Sequence, residues 1–442
     1  MDKSASKPAP RVLTRRRVAT VHNRLAAVLG AVALGLVAIV FARTGEAAQG
    51  LFLRMVAVFP HAPFVVTPLV FAGVVLVTRR AFPAARGSGI PQVMAAAHHP
   101  EAQANGDLVS IRTALAKLAG TIAMLLAGGS VGREGPTVQI SAALMVAVHR
   151  WLRVPVSAGV IIAGGAAGVA AAFNTPLAGV AFAIEELAAA FEQKVAVLVM
   201  LAVMISGLVS LGIAGDYVYF GATGGTMPLR TMIIVSPVAG VAGGVCGGLF
   251  ARALIAMTGR GSAPGNRLIM ALRSRPVLFA ALCGLVVAIT GWATDGLSWG
   301  TGYDTTRHLL AGDSASLTFG PAKFIATLAT ALSGAPGGIF APSLSVGAGL
   351  GQLIAALFPG SATGAIVLLG MVGYFTGVVR APMTAVIIMM EMTADRTMIL
   401  PLFASALIAD AVSAWVCPHK LYHALSRQFH AEPKTTVTAT ET

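Results

Sequence analysis

Gly132-Arg133-Glu134-Gly135-Pro136 and Gly338-Ile339-Phe340-Ala341-Pro342 decide the fold of this chain. Both are Gly/Pro-bounded breaks in apolar sequence, and they lie 206 positions apart. The same offset carries Ala116-Lys117 onto Ala322-Lys323, Thr121 onto Thr327, Gly128 onto Gly334, Pro176 onto Pro382, Val180 onto Val386 and Glu185 onto Glu391. It runs without a gap from Ala116 to Glu186. Coincidences among Ala and Leu are expected in so apolar a chain; matched Lys, Pro, Gly and Glu are not. The chain is two related halves.

Each break ends in a Pro that suits the first turn of a helix, where its missing N–H costs little. The glycines before it let consecutive backbone N–H groups be exposed. A helix N-terminus carries unsatisfied donors and roughly half a positive charge. Two such ends brought together by a repeat would form an anion site without a buried Lys or Arg, so the ion could still leave. A third break, Gly87-Ser88-Gly89-Ile90-Pro91, adds a hydroxyl. The spacing leaves open whether Ser88 donates to an anion or caps the helix that starts near Pro91.

Around these breaks, 442 residues hold 31 Lys+Arg and 17 Asp+Glu, with 56% hydrophobic residues and a mean hydropathy of +0.81. Charged residues make up 11%, against about 25% in soluble domains, too few to coat a water-facing surface of this size. A soluble enzyme, a disordered chain and a nucleic-acid-binding module are excluded. The net charge of +14 falls between apolar runs, as loops beside acidic lipid require. Cys246, Cys283 and Cys417 are far apart in apolar surroundings and read as packing residues. His98-His99 has no metal-ligand spacing around it, so neither a metal nor any other cofactor is expected.

Residues 1–24 are basic, and Leu25 to Ala42 is an uncharged run of 18 residues. A signal peptide h-region is usually ~7–15 residues, so a first spanning helix with a cytoplasmic leader fits better. Further apolar segments lie near 59–78, 110–127, 136–149, 155–172, 176–190 and 195–214. A second series lies near 231–257, 277–293, 318–333, 341–358, 363–378, 382–393 and 397–416. Several fall short of the ~20 residues a spanning helix needs, and many are bounded by Gly or Pro. Such helices belong around a protein-enclosed cavity in a transporter or channel. The loop at 215–230 carries one Asp and one Arg, whereas 258–276 holds Arg260, Arg267, Arg273 and Arg275. The positive-inside rule puts the second loop with the N-terminus, so the halves are inverted. The expected fold is an all-α polytopic membrane protein of two inverted-topology repeats with short, broken, tilted helices. Its expected parts are a cytoplasmic segment 1–24, repeats 25–214 and 231–425, an extracytoplasmic linker 215–230 and a polar cytoplasmic tail 426–442.

GSGIP (87–91), GREGP (132–136) and GIFAP (338–342), in this order, resemble the signature motifs of the CLC chloride channel and transporter family. AAFNTPLAGVAFAIEE (171–186) resembles the segment between the second and third motifs, and Lys420-Leu421-Tyr422 resembles the tyrosine-bearing approach to the ion site. The resemblance covers 25–425. It implies a homodimer in a bilayer, each protomer with its own anion pathway, and an inner-membrane location with both termini cytoplasmic. It further implies chloride bound by the hydroxyls of Ser88 and Tyr422 and the backbone N–H groups of Ile339 and Phe340. Glu134 matches the gating glutamate, which competes with chloride when ionised and moves aside when protonated. No paired nucleotide-binding regulatory modules are expected after residue 425.

The family contains channels and proton-coupled exchangers, and Glu186 stands where exchangers resembling this chain carry an internal proton acceptor. Chloride/proton antiport is therefore expected. A passive voltage- or pH-gated channel, or an exchanger preferring nitrate or fluoride, is the alternative. Serine at 88 with Tyr422 favours chloride, since nitrate-preferring relatives have proline there and fluoride exporters a methionine-bearing motif. Gln92 departs from the Glu frequent in relatives. Lys117, in an apolar helix, needs a partner, and family geometry makes Glu185 or Glu186 the nearest candidate. An enzyme is not expected, because Ser88 lacks a G-x-S-x-G elbow and no nucleophile–base or metal set appears.

Overall fold

The computed structural model describes residues 10–429 apart from 99, 101–105, 188–192, 216–219, 222–227, 259–271, 273, 394 and 396, and omits the side chains of 10–21, 23, 193, 194, 214 and 229. Arg260, Arg267 and Arg273, most of the 215–230 linker and most of the 426–442 tail lie outside the described residues.

The first half contains α1 (Pro10–Val58), α2 (Pro63–Ala81), α3 (Ile90–His98), α4 (Ile111–Leu126), α5 (Glu134–Trp151), α6 (Ala158–Phe173), α7 (Pro176–Phe182) and α8 (Gln193–Ala214). The second contains α9 (Leu229–Thr258), α10 (Pro276–Trp292), α11 (Tyr303–Ala311), α12 (Phe319–Leu332), α13 (Phe340–Ala355), α14 (Thr363–Val379), α15 (Pro382–Thr393) and α16 (Ile399–Val416), followed by α17 (Leu421–Ser426). The only strand-like feature among the described residues is one bridge between Gly132 and Gly338. The chain is an all-α polytopic protein of inverted repeats.

Three local features depart from or add to the expectations. The first helix does not end at Ala42 but continues to Val58, and it already begins at Pro10 inside the basic segment. No proline interrupts it until Pro60, and the residue before a proline is driven out of the helical region, so the chain turns at Phe59. The segment expected over 176–190 is a short helix, α7, whose last turn widens into a π-turn at Ala183–Leu187. Finally, α11 has the polar sequence YDTTRHLLA and gave no apolar signal.

The two halves interlock through reciprocal contacts. Gly132 donates its N–H to the Gly338 carbonyl at 2.8 Å, and Gly338 donates to the Gly132 carbonyl at 2.8 Å. Glu185 accepts from the N–H groups of Met383 and Thr384 at the start of α15, at 3.1 and 2.8 Å. Its equivalent, Glu391, accepts from Leu177 and Ala178 at the start of α7, at 3.0 and 2.8 Å. Contacts that swap under one operation are the mark of a pseudo-two-fold axis. Even helix ends match: α6 stops at Asn174 and α14 at Arg380, both left-handed, with φ of 56° and 61°.

Burial separates the helices into an inner and an outer set. Fifteen of the sixteen residues of α6, and nearly all of α14, are buried, as expected of short helices that are apolar all round. Among the described residues, five helices are long and apolar enough to cross a membrane, within Arg24–Val58, Pro63–Ala81, Val195–Ile213, Arg230–Met257 and Ile399–Val416. The outer faces of α2, α8, α10 and α16 expose large apolar side chains such as Leu69, Leu208, Leu282 and Trp415, which suits lipid. α1 packs across α5, α6 and α8, while α9 packs across α13, α14 and α16. These long helices hold the buried breaks of each half at the centre.

Candidate functional site

The Gly132–Gly338 bridge sets the N-termini of α5 and α13 side by side. No side chain fits there: a Cβ on Gly135 would lie 2.5 Å from Ser88 Oγ, and one on Gly338 would lie 2.9 Å from the Gly135 nitrogen. The N-terminus of α13 is fixed by its first residue. Phe340 packs edge-on against Phe375 with ring centroids 4.9 Å apart, and against Phe182 at 5.9 Å; Phe173 and Tyr422 lie at 6.0 Å. Its ring is therefore committed to packing. Among the described residues, the N–H groups of Ile339 and Phe340 have no acceptor in the protein.

Two hydroxyls face these donors. Ser88 Oγ and Tyr422 Oη are both buried without a hydrogen-bond partner among the described residues, and the two groups are neighbours. Ser88 Oγ makes no hydrogen bond to the start of α3, so it does not cap that helix. Unpaired buried hydroxyls are costly unless something outside the protein pairs them. A cavity of about 360 Å³ is lined by Ser88, Gly338, Ile339 and Tyr422 at its inner end and by Arg79 and Arg86 toward its mouth. Phe340 does not line it. Donors, a helix dipole and two guanidiniums converge on this space, with no carboxylate among its lining residues. It is suited to a small anion.

Glu134 is not among the cavity's lining residues but sits at the same pair of helix ends. It is fully buried, and its Oε2 lies 3.4 Å from the Ala341 nitrogen, the next donor along from Ile339 and Phe340. Its Oε1 accepts a 2.7 Å hydrogen bond from the phenol of Tyr303 at the start of α11. The adjacent Arg133 pairs with the exposed Glu46 on α1 at 2.9 Å. Glu186 lies elsewhere, on the π-turn, with both oxygens buried and no hydrogen bond. Its contact is the imidazole of His423 on α17, Nδ1 to Oε1 at 3.3 Å. Tyr422 sits within electrostatic range of both Glu134 and Glu186.

Lys117 does not pair with Glu185 or Glu186. It donates to the carbonyls of Arg86 and Gly87 at 3.2 and 2.8 Å, tying down the loop that presents Ser88. Lys323 makes the equivalent clamp on Ser298 and Gly300, at 3.1 and 2.7 Å. Backbone carbonyls can satisfy an ammonium without neutralising it, so both acids stay free of the lysines. Gln92 holds the same loop through Nε2 to the carbonyls of Ala84 and Arg86.

Sequence reasoning missed Tyr303 and His423. A signal for the first existed: Gly300-Thr301-Gly302 repeats Gly87-Ser88-Gly89, with φ of 63° at Gly300 against 62° at Gly87. It sits 213 rather than 206 positions on, outside the ungapped register. For His423 there was none.

A family profile described as "Voltage gated chloride channel" matches residues 70–414. The H(+)/Cl(-) exchange transporter ClcA of Yersinia pseudotuberculosis is 31% identical over 433 residues, covering 91% of this chain and 86% of that protein. The protein of the same name from Salmonella paratyphi A is 30% identical, covering 90% and 86%. Among solved structures, a slow cyanobacterial Cl-/H+ antiporter superposes with a TM-score of 0.78 at 23% identity, over 93% of this chain and 98% of that one. A CLC-type fluoride/proton antiporter superposes at 0.76 and 21% identity, covering 95% and 99%. These two similarities speak to the fold alone.

Proposed function

The chain belongs to the voltage-gated chloride channel family, and from that premise we propose that it is a secondary transporter exchanging chloride for protons across a membrane. Chloride is the substrate, and the reading needs no cofactor and no chemical catalysis.

The observation that carries this reading is the state of Glu186. Its neighbour Glu185 is spent on capping α15, whereas Glu186 is buried with neither oxygen hydrogen-bonded. A structural acid would have partners like those of Glu185. A buried acid without them suits proton carriage, and intramembrane carboxylates are functional by default. A passive channel has no use for it.

Chloride would enter through the cavity and take donors from Ser88, Tyr422, Ile339 and Phe340. The Glu134 carboxylate, seated at the same helix N-terminus, competes for that positive end. Protonation removes its charge and its claim on those donors, so an anion can replace it. Glu186 exchanges protons on the other side of Tyr422. The basic last turn of α2, Arg79 and Arg80, supports a cytoplasmic cavity mouth by the positive-inside rule. A homodimer in the cell's inner membrane, one pathway per protomer and both termini cytoplasmic, completes the proposal.

Reconstitution in liposomes under a chloride gradient with no pH gradient tests it. Uphill proton movement is expected, cancelled in Glu186→Gln while chloride flux persists. Glu134→Ala should pass chloride without protons and without pH dependence. A reversal potential indifferent to pH in the wild-type protein would sink the exchange reading.

A further inference from the structure

A buried acid that cycles its proton needs a route to water, and the contacts of Glu186 define one. Its side chain has no exposure, yet it touches the His423 ring, whose side chain is 46% exposed. The contact joins the π-turn after α7 to α17. The other charged groups around Glu186 are Lys420, just before α17, and Glu185. Glu185 is held at the N-terminus of α15 by three hydrogen bonds and cannot follow Glu186. Lys420 is an ammonium on a long stem, suited to biasing charge rather than to passing protons near neutrality. Tyr422, next to His423 in sequence, senses Glu186 but is itself fully buried.

We propose that His423 is the residue that loads protons onto Glu186 from solution on the α17 side. This rests on the exchange reading and deepens it by naming the entry point. Imidazole is the side chain whose charge ordinarily changes between pH 5 and 8. The imidazolium gives its Nδ1 proton to Oε1 of Glu186, converting carboxylate to carboxylic acid and leaving a neutral ring protonated at Nε2. Rotation of the half-exposed ring turns the bare nitrogen to water, where it takes a proton from solution. Returned to Glu186, the ring is ready for another transfer. Charge and protons balance at each step, and no other reactant is needed. The π-turn makes the geometry possible: its extra residue per turn lets adjacent acids serve different partners, Glu185 the α15 backbone and Glu186 the imidazole.

The test uses the full chain in liposomes, reading proton and chloride movement together. In His423→Gln the ratio of proton to chloride flux should fall about tenfold, less than the ~100-fold or more contributed by a directly positioned acid–base group, because water still reaches the site slowly. Imidazole added to the α17 side should restore the ratio to within about twofold of the wild-type value. A buffer molecule can replace a proton relay but not a packing contact. An unchanged ratio in His423→Gln, or a fallen ratio that imidazole does not restore, overturns the assignment of His423 while leaving exchange intact. A wild-type protein that moves no protons overturns the exchange reading itself, and this assignment with it.

Discussion

Glu134, from the first half of the chain, is held by two helices of the second. The Ala341 N–H belongs to α13, and the Tyr303 phenol belongs to α11. The phenol hydrogen bond is the shorter and is charge-assisted when the acid is ionised, a class worth about 1.5–3 kcal/mol. It favours the carboxylate in the seat where an anion would otherwise sit. Tyr303→Phe keeps the ring, including its edge contact with Phe220 at 5.7 Å, and removes only the donor. Weakening a competitor strengthens the ligand it competes with, so apparent chloride affinity should rise by roughly tenfold, matching the lower end of that energy. Calorimetric titration of the purified variant measures this, and an unchanged affinity would remove Tyr303 from the gate. At the other acid the logic reverses. Glu186 has no short hydrogen bond like that of Glu134; its contact is His423 Nδ1, 3.3 Å from Oε1.

At the scale of elements, the reciprocal caps are the clearest consequence of the repeat. Glu185 on the turn after α7 caps α15, and Glu391 in α15 caps α7. A cap is worth ~0.5–2 kcal/mol, more when charged, and each cap here also ties the two halves together. Glu185→Ala and Glu391→Ala should each lower the apparent melting temperature in detergent by about 2–4 °C. The Glu185 variant should lose slightly more, because its carboxylate also accepts from the Thr384 hydroxyl. Scanning fluorimetry compares them, and a loss confined to one variant would contradict their equivalence. The same repeat explains what the sequence could disclose. One offset carries α4 through the π-turn onto α12 through α15, so the paired breaks and the helix starts could be read from spacing. Outside that register two features were missed. The Gly300-Thr301-Gly302 turn had slipped by seven positions, and the polar α11 hid Tyr303. Family geometry offers Glu185 or Glu186 as the nearest candidate partner of Lys117, whereas its partners are carbonyls of the loop before α3. No periodicity reports where a carbonyl points. The contact between His423 and Glu186 likewise depends on how α17 folds back over the π-turn.

Across the whole molecule, the net charge of +14 reads first as topology, since basic loops hold a polytopic chain in register with the membrane. Two of those charges do more. Arg79 and Arg86 line the cavity that ends at Ser88 and Tyr422. The Arg86 guanidinium lies over the Phe429 ring, 4.8 Å from its centroid, and is thereby kept at the mouth. A positive vestibule with low-dielectric walls raises the local anion concentration and speeds entry without holding the ion at its final site. Arg86→Gln removes the charge but keeps a polar side chain of similar reach. At fixed chloride and low ionic strength it should slow chloride flux by about threefold, a modest share of the steering range. Raising ionic strength with an impermeant salt should close that gap, because the screening length contracts to ~10 Å at 0.1 M. The loop backbone stays anchored in the variant, since Lys117 and Gln92 bond to the Arg86 carbonyl and not its side chain. Flux measured across an ionic-strength series separates the two effects. A deficit that persists undiminished at high salt would mean that Arg86 shapes the pore mouth and does not steer the anion.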